Sequence, residues 1–222
     1  MSKYCMYCGN TGELPGGGVC THCKTHITVD DEVDLSCLEI PLSYRGAVFS
    51  GGLLPRDMGT VYSSYLESLY SEVTSLKPMC KNIFISSPAQ TGKTVFTYSC
   101  MSFLYKKKVS VFPYFDINEI ECIMRDIDKG KKCKLISEDV DAFDLYECEI
   151  LFTKIPEKID FSTGEVLATL IDRRVRRSKS TIIFSTKSWS DIIAMDKSNS
   201  LKDLSGDGSF KSILVKNFWR NN

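Results

Sequence analysis

Four cysteines near the start of the sequence, Cys5, Cys8, Cys20 and Cys23, form two C-x-x-C pairs separated by eleven residues. Thiolates at that spacing can grip a tetrahedral ion from two sides, at about 2.3 Å for Zn2+. Gly9, Gly12 and the three glycines at 16–18 supply the turns that let two such knuckles face each other. A redox C-x-x-C would stand alone ahead of a helix, and neither pair does. Four thiolates complete the shell without His22 or His26. So short a segment buries little, so zinc would supply most of its folding energy and its role would be structural.

A second constellation is Ser87-Pro88-Ala89-Gln90-Thr91-Gly92-Lys93-Thr94, which follows the Walker A pattern G-x-x-x-x-G-K-[ST] with serine in place of the first glycine. In such a loop, backbone N–H groups and a helix N-terminus wrap the phosphates of ATP. Lys93 would reach the β- and γ-oxygens, and the Thr94 hydroxyl would bind Mg2+. The chemistry also asks for a strand that ends in acids beside the phosphates. Leu135-Ile136-Ser137-Glu138-Asp139 fits that need, with Glu138 toward Mg2+ and Asp139 toward the attacking water. The acids stand in the reverse of the usual order. Thr186, which closes the apolar run 181–185, is a candidate sensor of the γ-phosphate or the lytic water.

These groups need elements to hold them. The run Val61, Tyr65, Leu66, Leu69, Val73 repeats at helical spacing and ends near Lys77-Pro78. Strands are expected over 83–85, 109–115, 133–137, 181–185 and 212–215, with helices over 94–105, 117–127 and 163–177. Repeated βα units of this length make an α/β fold with a mostly parallel sheet. The chain then divides into a zinc-binding module (1–30), a connector (31–55) and a phosphate-loop core (56–222).

Composition narrows the function classes. Of 222 residues, 28 are basic and 28 acidic, which argues against a generally basic nucleic-acid coat or an acidic disordered tail. With 43% hydrophobic residues there is material for a real core. No run approaches the roughly 18 to 20 apolar residues that span a bilayer, and no apolar leader follows Met1, so no membrane and a cytoplasmic location are expected. Ten cysteines in a reducing compartment then call for metal rather than disulfides. Charge is uneven: residues 138–160 hold eight acids against Lys154 and Lys158, while Arg173, Arg174, Arg176, Arg177 and Lys179 cluster at one helix end. That cluster is a candidate patch for single-stranded DNA, or for an acidic neighbouring subunit. The residue 1–30 segment has balanced charge, which favours docking to a protein over docking to DNA.

In this order, Ile40-Pro41-x-x-Tyr44-Arg45, the 87–94 loop, the 135–139 segment, and Leu170-Ile171-Asp172-Arg173-Arg174 followed closely by 181–186 resemble the AAA+ helicase loaders of the DnaC/DnaI type, over about residues 38–217. The resemblance implies an ATP-controlled AAA+ core that forms a homo-oligomer, binds a replicative DNA helicase and delivers it to single-stranded DNA in a bacterial cell or phage-infected host. A zinc-binding N-terminal module that grips the helicase is known in the DnaI branch. The short chain is consistent with a phage-encoded version. One departure is that no arginine stands between Trp189 and Asn217 to reach a neighbour's γ-phosphate; Lys202 and Lys211 offer only point charges. Weak ATPase activity is therefore expected. The alternatives are a hydrolysis-deficient AAA+ adaptor that binds the helicase and a transposition-helper ATPase of the IstB type. A nucleoside kinase with a zinc ribbon would carry the two motifs in the opposite order.

Overall fold

The computed structural model describes residues 35–41, 44, 49, 59–79, 81–137, 140–157, 161–196, 198–205 and 213–218. Cys5, Cys8, Cys20 and Cys23, and with them the zinc-ribbon expectation, lie outside the described residues, as do Glu138 and Asp139. The chain forms two compact units, one of residues 1–76 and 92–108, the other of residues 77–91 and 109–222.

In the first unit, helix α1 (Gly59–Thr74) packs on α2 (Lys93–Lys106). Tyr62, Leu66, Leu69 and Val73 are buried at spacings of four, three and four, the stripe that one helix face presents. The sequence expectation had Val61 in this stripe, but it is 74% exposed. The buried stripe begins instead one residue later, at the larger Tyr62. Phe49 fills the space between the helices, edge-on to Phe96 at 5.2 Å and tilted against Tyr70 at 5.6 Å. The segment before it also docks: Leu35, Leu38 and Ile40 are buried, Tyr44 stacks on Tyr98 at 5.1 Å, and the Cys37 thiol donates to the Tyr105 hydroxyl oxygen at 3.2 Å.

In the second unit, β1 (Asn82–Ser86), β2 (Phe115–Asp116), β3 (Ile150–Lys154), β4 (Ser180–Ser185) and β5 (Ile213–Asn217) form one sheet in the order β2-β3-β4-β1-β5. Every pairing among them is parallel. β1 and β4 are buried along their whole length, as continuous apolar runs in a parallel sheet must be. Against the sheet lie α3 (Ile117–Asp128), α4 (Asp144–Glu147), α5 (Phe161–Val175), α6 (Trp189–Met195) and α7 (Ser200–Ser205), which share a core built on Phe84, Ile120, Leu151, Leu170, Ile183 and Trp189. Helix starts are set by chemistry legible in the sequence: Asp116 and Glu119 form a capping box on α3, and Ser188 and Asp191 form another on α6.

Two strand expectations are corrected. Residues 109–115 give only a bridge at Val111 and the two-residue β2. Residues 133–137 form no strand at all, and the strand between β2 and β4 is Ile150–Lys154 instead. The reason is burial. A central parallel strand needs a run of side chains that can be enclosed on both faces, which Ile150, Leu151, Phe152 and Thr153 provide. Leu135 and Ile136 stand between Lys134 and Ser137, and Leu135 is 40% exposed.

Candidate nucleotide-binding site

The sheet order places the Walker A segment. From β1 the chain moves to the edge strand β2, and from β4 it crosses β1 to the opposite edge, β5. The direction of winding thus reverses between β1 and β4, and in open parallel sheets ligands bind outside the carboxyl ends of the strands at such a point. Ser87 begins its loop there.

Hydrogen bonds fix the neck of that loop. Ser87 N–H donates to Ser185 O at 3.1 Å, and the Ser86 hydroxyl donates to Lys187 O at 2.8 Å. Lys187 N–H in turn donates to the Ser185 hydroxyl at 2.9 Å. Thr186, the sensor candidate, is half-buried between these two anchoring residues. Inside the loop the Thr91 hydroxyl donates to Pro88 O at 3.0 Å, which leaves the Ser87 hydroxyl to donate to Thr91 Oγ1 at 2.8 Å. Serine is therefore accommodated where the Walker pattern has glycine. The left-handed positions fall at Gln90 (φ 60°) and Gly92 (φ 82°), while the Ser87 hydroxyl is used to brace the loop.

Gly92 is the N-cap of α2 and brings no capping side chain, so the helix start presents its backbone donors to an anion. Pro88 is half-buried, Ala89 and Gln90 are exposed, and Thr94 is exposed in the first turn of α2. Burial of the Lys93 ammonium pulls its pKa down from 10.5 to about 8. That cation is already partly stripped of water, the condition in which an added phosphate gains most from it.

A carboxylate was expected at the neighbouring strand end. The register runs Lys154 to Phe184 on β4, and Phe184 to Ile85 on β1, two residues before the loop. The end of β3, which β4 separates from β1, therefore carries Thr153 and Lys154. Thr153 is fully buried and its hydroxyl donates to Phe115 O at 3.0 Å, which ties β3 to β2. Lys154 is exposed, with Nζ 5.8 Å from the centre of the Tyr114 ring. Magnesium requires hard oxygen ligands, in phosphate loops a hydroxyl and a strand-end acid. Thr94 carries a hydroxyl in the first turn of α2, Thr153 and Lys154 bring no carboxylate, and the expected acids Glu138 and Asp139 lie outside the described residues. Neither Thr153 nor Lys154 was singled out from the sequence, although the consecutive apolar and β-branched run Ile150-Leu151-Phe152-Thr153 is a strand signal.

The arginine patch is corrected at Arg174. Arg174 is fully enclosed and donates to Leu145 O at 2.7 Å, Cys148 O at 2.9 Å, Ser180 O at 2.6 Å and the Thr181 hydroxyl at 3.1 Å. It joins α4, the start of β4 and its own helix, and cannot meet DNA. Its neighbours have acidic partners: Arg173 with Asp128 at 3.1 Å, Arg176 with Asp172 at 2.9 Å, and Arg177 with Glu147 at 2.7 Å. Arg173 and Arg177 also lie 5.2 and 5.6 Å from the centre of the Tyr146 ring. Lys179 pairs with Glu149 at 2.5 Å. Two acids of the 138–160 segment, Glu147 and Glu149, thus meet the basic helix end within one chain.

No family model and no curated protein matches the sequence. Among solved structures, the crystal structure of the DnaI aligns with a TM-score of 0.50 at 13% identity, over 74% of this chain and 94% of that one. A proposed primosome component from Streptococcus pyogenes serotype M3 aligns with a TM-score of 0.51 at 14% identity, over 80% and 89%. At such identities the likeness establishes the fold. The resemblance to DnaC/DnaI-type AAA+ proteins drawn from the motifs holds at that level, for an α/β core with a parallel sheet. Among the described residues no helix is long and apolar enough to cross a membrane.

Proposed function

We propose that this chain is an ATP-binding replication protein of the helicase-loader kind, which binds a replicative DNA helicase and serves its delivery to single-stranded DNA. The observation that carries the reading is the braced loop 87–94 at the switch point of a sheet shared with DnaI. Gly92, Lys93 and Thr94 bring the helix start, the cation and the hydroxyl that a nucleotide's phosphates require. The N-terminal module is assigned to the helicase, with Cys5, Cys8, Cys20 and Cys23 as a zinc-binding donor set that supplies folding energy rather than chemistry. Contact with DNA is assigned to the helicase being delivered, because the arginines of α5 are engaged within the chain.

The test is a titration of the full chain with ATP, followed by capture of the host's replicative helicase with and without nucleotide. Micromolar binding that is lost in Lys93→Ala, together with helicase capture that changes with nucleotide, is the expected result. A chain that binds neither adenine nucleotide nor helicase is not a loader. An IstB-type transposition helper is the outcome if capture returns a transposase instead.

A further inference from the structure

We infer that two copies of this chain pair by a two-fold axis across a cavity between the C-terminal end of α3 and the start of α4. Each copy's Phe143 enters the cavity of the other, and each copy's loop 129–134 meets the other's Asp141 and Asp144.

The parallel sheet fixes where this face lies. α3 leaves the C-terminal end of β2 and runs back, while α4 and α5 end just ahead of β3 and β4. The cavity that these helix ends line therefore sits at the N-terminal ends of the strands, and residues 87–91 leave β1 at the opposite end. It measures about 390 Å3 and is lined by Ile127, Tyr146 and Asp172 together with arginines of α5. Phe143 lines it as well and is 59% exposed, an aromatic ring left on the rim. Aromatic rings and arginines gathered around a hollow are the usual make-up of a protein-binding hot spot.

Charge on this face is unbalanced in two places. The Gly130 N–H donates to Ile127 O at 2.9 Å and the Lys131 N–H to Asp126 O at 2.9 Å, which ends α3 and fixes the turn behind it. That turn exposes Lys129, Lys131, Lys132 and Lys134 within six residues, three positive charges in excess even when Asp126 is counted. Beyond the cavity, Asp141 is exposed and Asp144 half-buried. Burial, and then the charges of Asp141 and Glu147, hold the Asp144 carboxyl above the usual carboxylate range, as happens where acids gather without a cation. Among the described residues, Lys129, Lys131, Lys134, Asp141 and Asp144 form no ion pair, whereas Arg173, Arg176 and Arg177 are all paired.

Asp128, next to the basic loop, and Phe143, next to Asp144, both line the cavity, so the two charged regions flank it. A two-fold axis through the cavity exchanges its flanks, and each basic loop then meets an acidic one twice over. Both halves of the match stand on one face, so a second copy is its complement. Exposed ion pairs add little affinity; they set orientation and encounter rate, while the enclosed Phe143 rings carry the binding. A patch of this size corresponds to a dimer that dissociates in about the micromolar range. Because the face lies away from residues 87–91, the pairing does not depend on nucleotide.

Sedimentation velocity of the full-length protein tests this, in a concentration series without nucleotide at about 0.05 M and about 0.5 M salt. A monomer–dimer equilibrium is expected, weaker by at least about threefold at the higher salt and unchanged by ATP. Phe143→Glu, an exposed substitution, should keep the melting temperature and weaken the dimer at least about tenfold. Reversing the loop (Lys129→Glu, Lys131→Glu and Lys134→Glu) should give a monomer, as should reversing the acids (Asp141→Lys and Asp144→Lys). Mixed in equal amounts, these two variants should form a heterodimer, since each reversed region then faces its opposite; melting curves confirm that both are folded. A wild type that stays monomeric, a dimer that Phe143→Glu or the reversed loop leaves intact, or folded variants that do not pair on mixing overturns the inference. A dimer seen only with ATP overturns it too, since that contact belongs to the nucleotide site. So does a monomeric wild type whose helicase capture is lost in Phe143→Glu, which gives this face to the helicase.

Discussion

Arg174 and Arg176 stand two positions apart on the same chain segment and should respond to truncation very differently. Arg176 is 73% exposed and pairs with Asp172 one turn away, so Arg176→Ala should shift stability by no more than about 0.5 kcal/mol. Arg174→Met would strand the carbonyls of Leu145, Cys148 and Ser180 in the core, at about 1–3 kcal/mol for each unsatisfied group, so a loss of at least about 3 kcal/mol in urea unfolding is expected. Arg174→Lys should recover little of it, because an ammonium lacks the planar fork that reaches all these acceptors. Lys93 gives a pH-dependent signature. Its folded-state pKa of about 8 lies below the ordinary 10.5, so between those values the unfolded chain holds more protons than the folded one. Its contribution to stability therefore rises with pH from about 8 to 10.5. The difference in unfolding free energy between wild type and Lys93→Met should grow in wild type's favour between pH 7 and pH 10; a flat difference would show that Lys93 is not desolvated. ATP affinity should fall over the same range, as the cation that phosphates need is titrated away.

At the scale of elements, α5 is held by a residue that helix propensity would reject. Gly164 lies inside the helix, where alanine would ordinarily gain about 1 kcal/mol. A Cβ at that position would instead run into the Asp196 carboxylate, which is buried and accepts from Ser198 N–H at 3.0 Å and Leu201 N–H at 2.9 Å. Asp196 thus cannot swing aside without uncapping α7, and Gly164→Ala should cost about 1–3 kcal/mol by overpacking. Introduced into Asp196→Ala the same substitution should cost much less, a coupling that a double-mutant cycle reads directly. Elements with strong local signals were legible without the fold: α1 and α3 by periodicity and caps, β1 and β4 by unbroken apolar runs. The strand expected over 133–137 failed because two apolar residues beside an acidic pair resemble a motif more than they resemble a buried strand. Local chemistry pointed to the acids, while burial on two faces selected Ile150–Phe152.

For the whole molecule, the zero net charge now has a structural content. The acids Glu147 and Glu149 meet Arg177 and Lys179, and Asp128 and Asp172 meet Arg173 and Arg176, so the basic end of α5 is paired charge by charge within the chain. Exposed pairs of this kind contribute little to stability, yet they leave α5 without the excess charge that single-stranded DNA requires. Replacing Arg173, Arg176 and Arg177 by alanine should change single-stranded DNA affinity less than twofold in a fluorescence-anisotropy titration. The N-terminal module makes an independent prediction. Elemental analysis should find one zinc per chain, and Cys5→Ser combined with Cys20→Ser should release it and end helicase capture, while ATP affinity stays within about twofold of wild type. Loss of ATP binding in that variant would mean that the module and the core do not act separately.

The sequence by itself determined the strand–loop–helix setting of residues 87–94, the α/β class and the longer helices, because each rests on chemistry within a dozen residues. Tertiary structure alone decided which segment became β3, because a strand's place in the sheet depends on which run of side chains can be enclosed between two others and in which register. That choice put Ile150–Lys154, and not residues 133–137, between β2 and β4. It likewise enclosed Arg174, one of four arginines that look alike in one dimension, since only the packing of α4 and β4 against α5 gathers carbonyl oxygens around a single guanidinium.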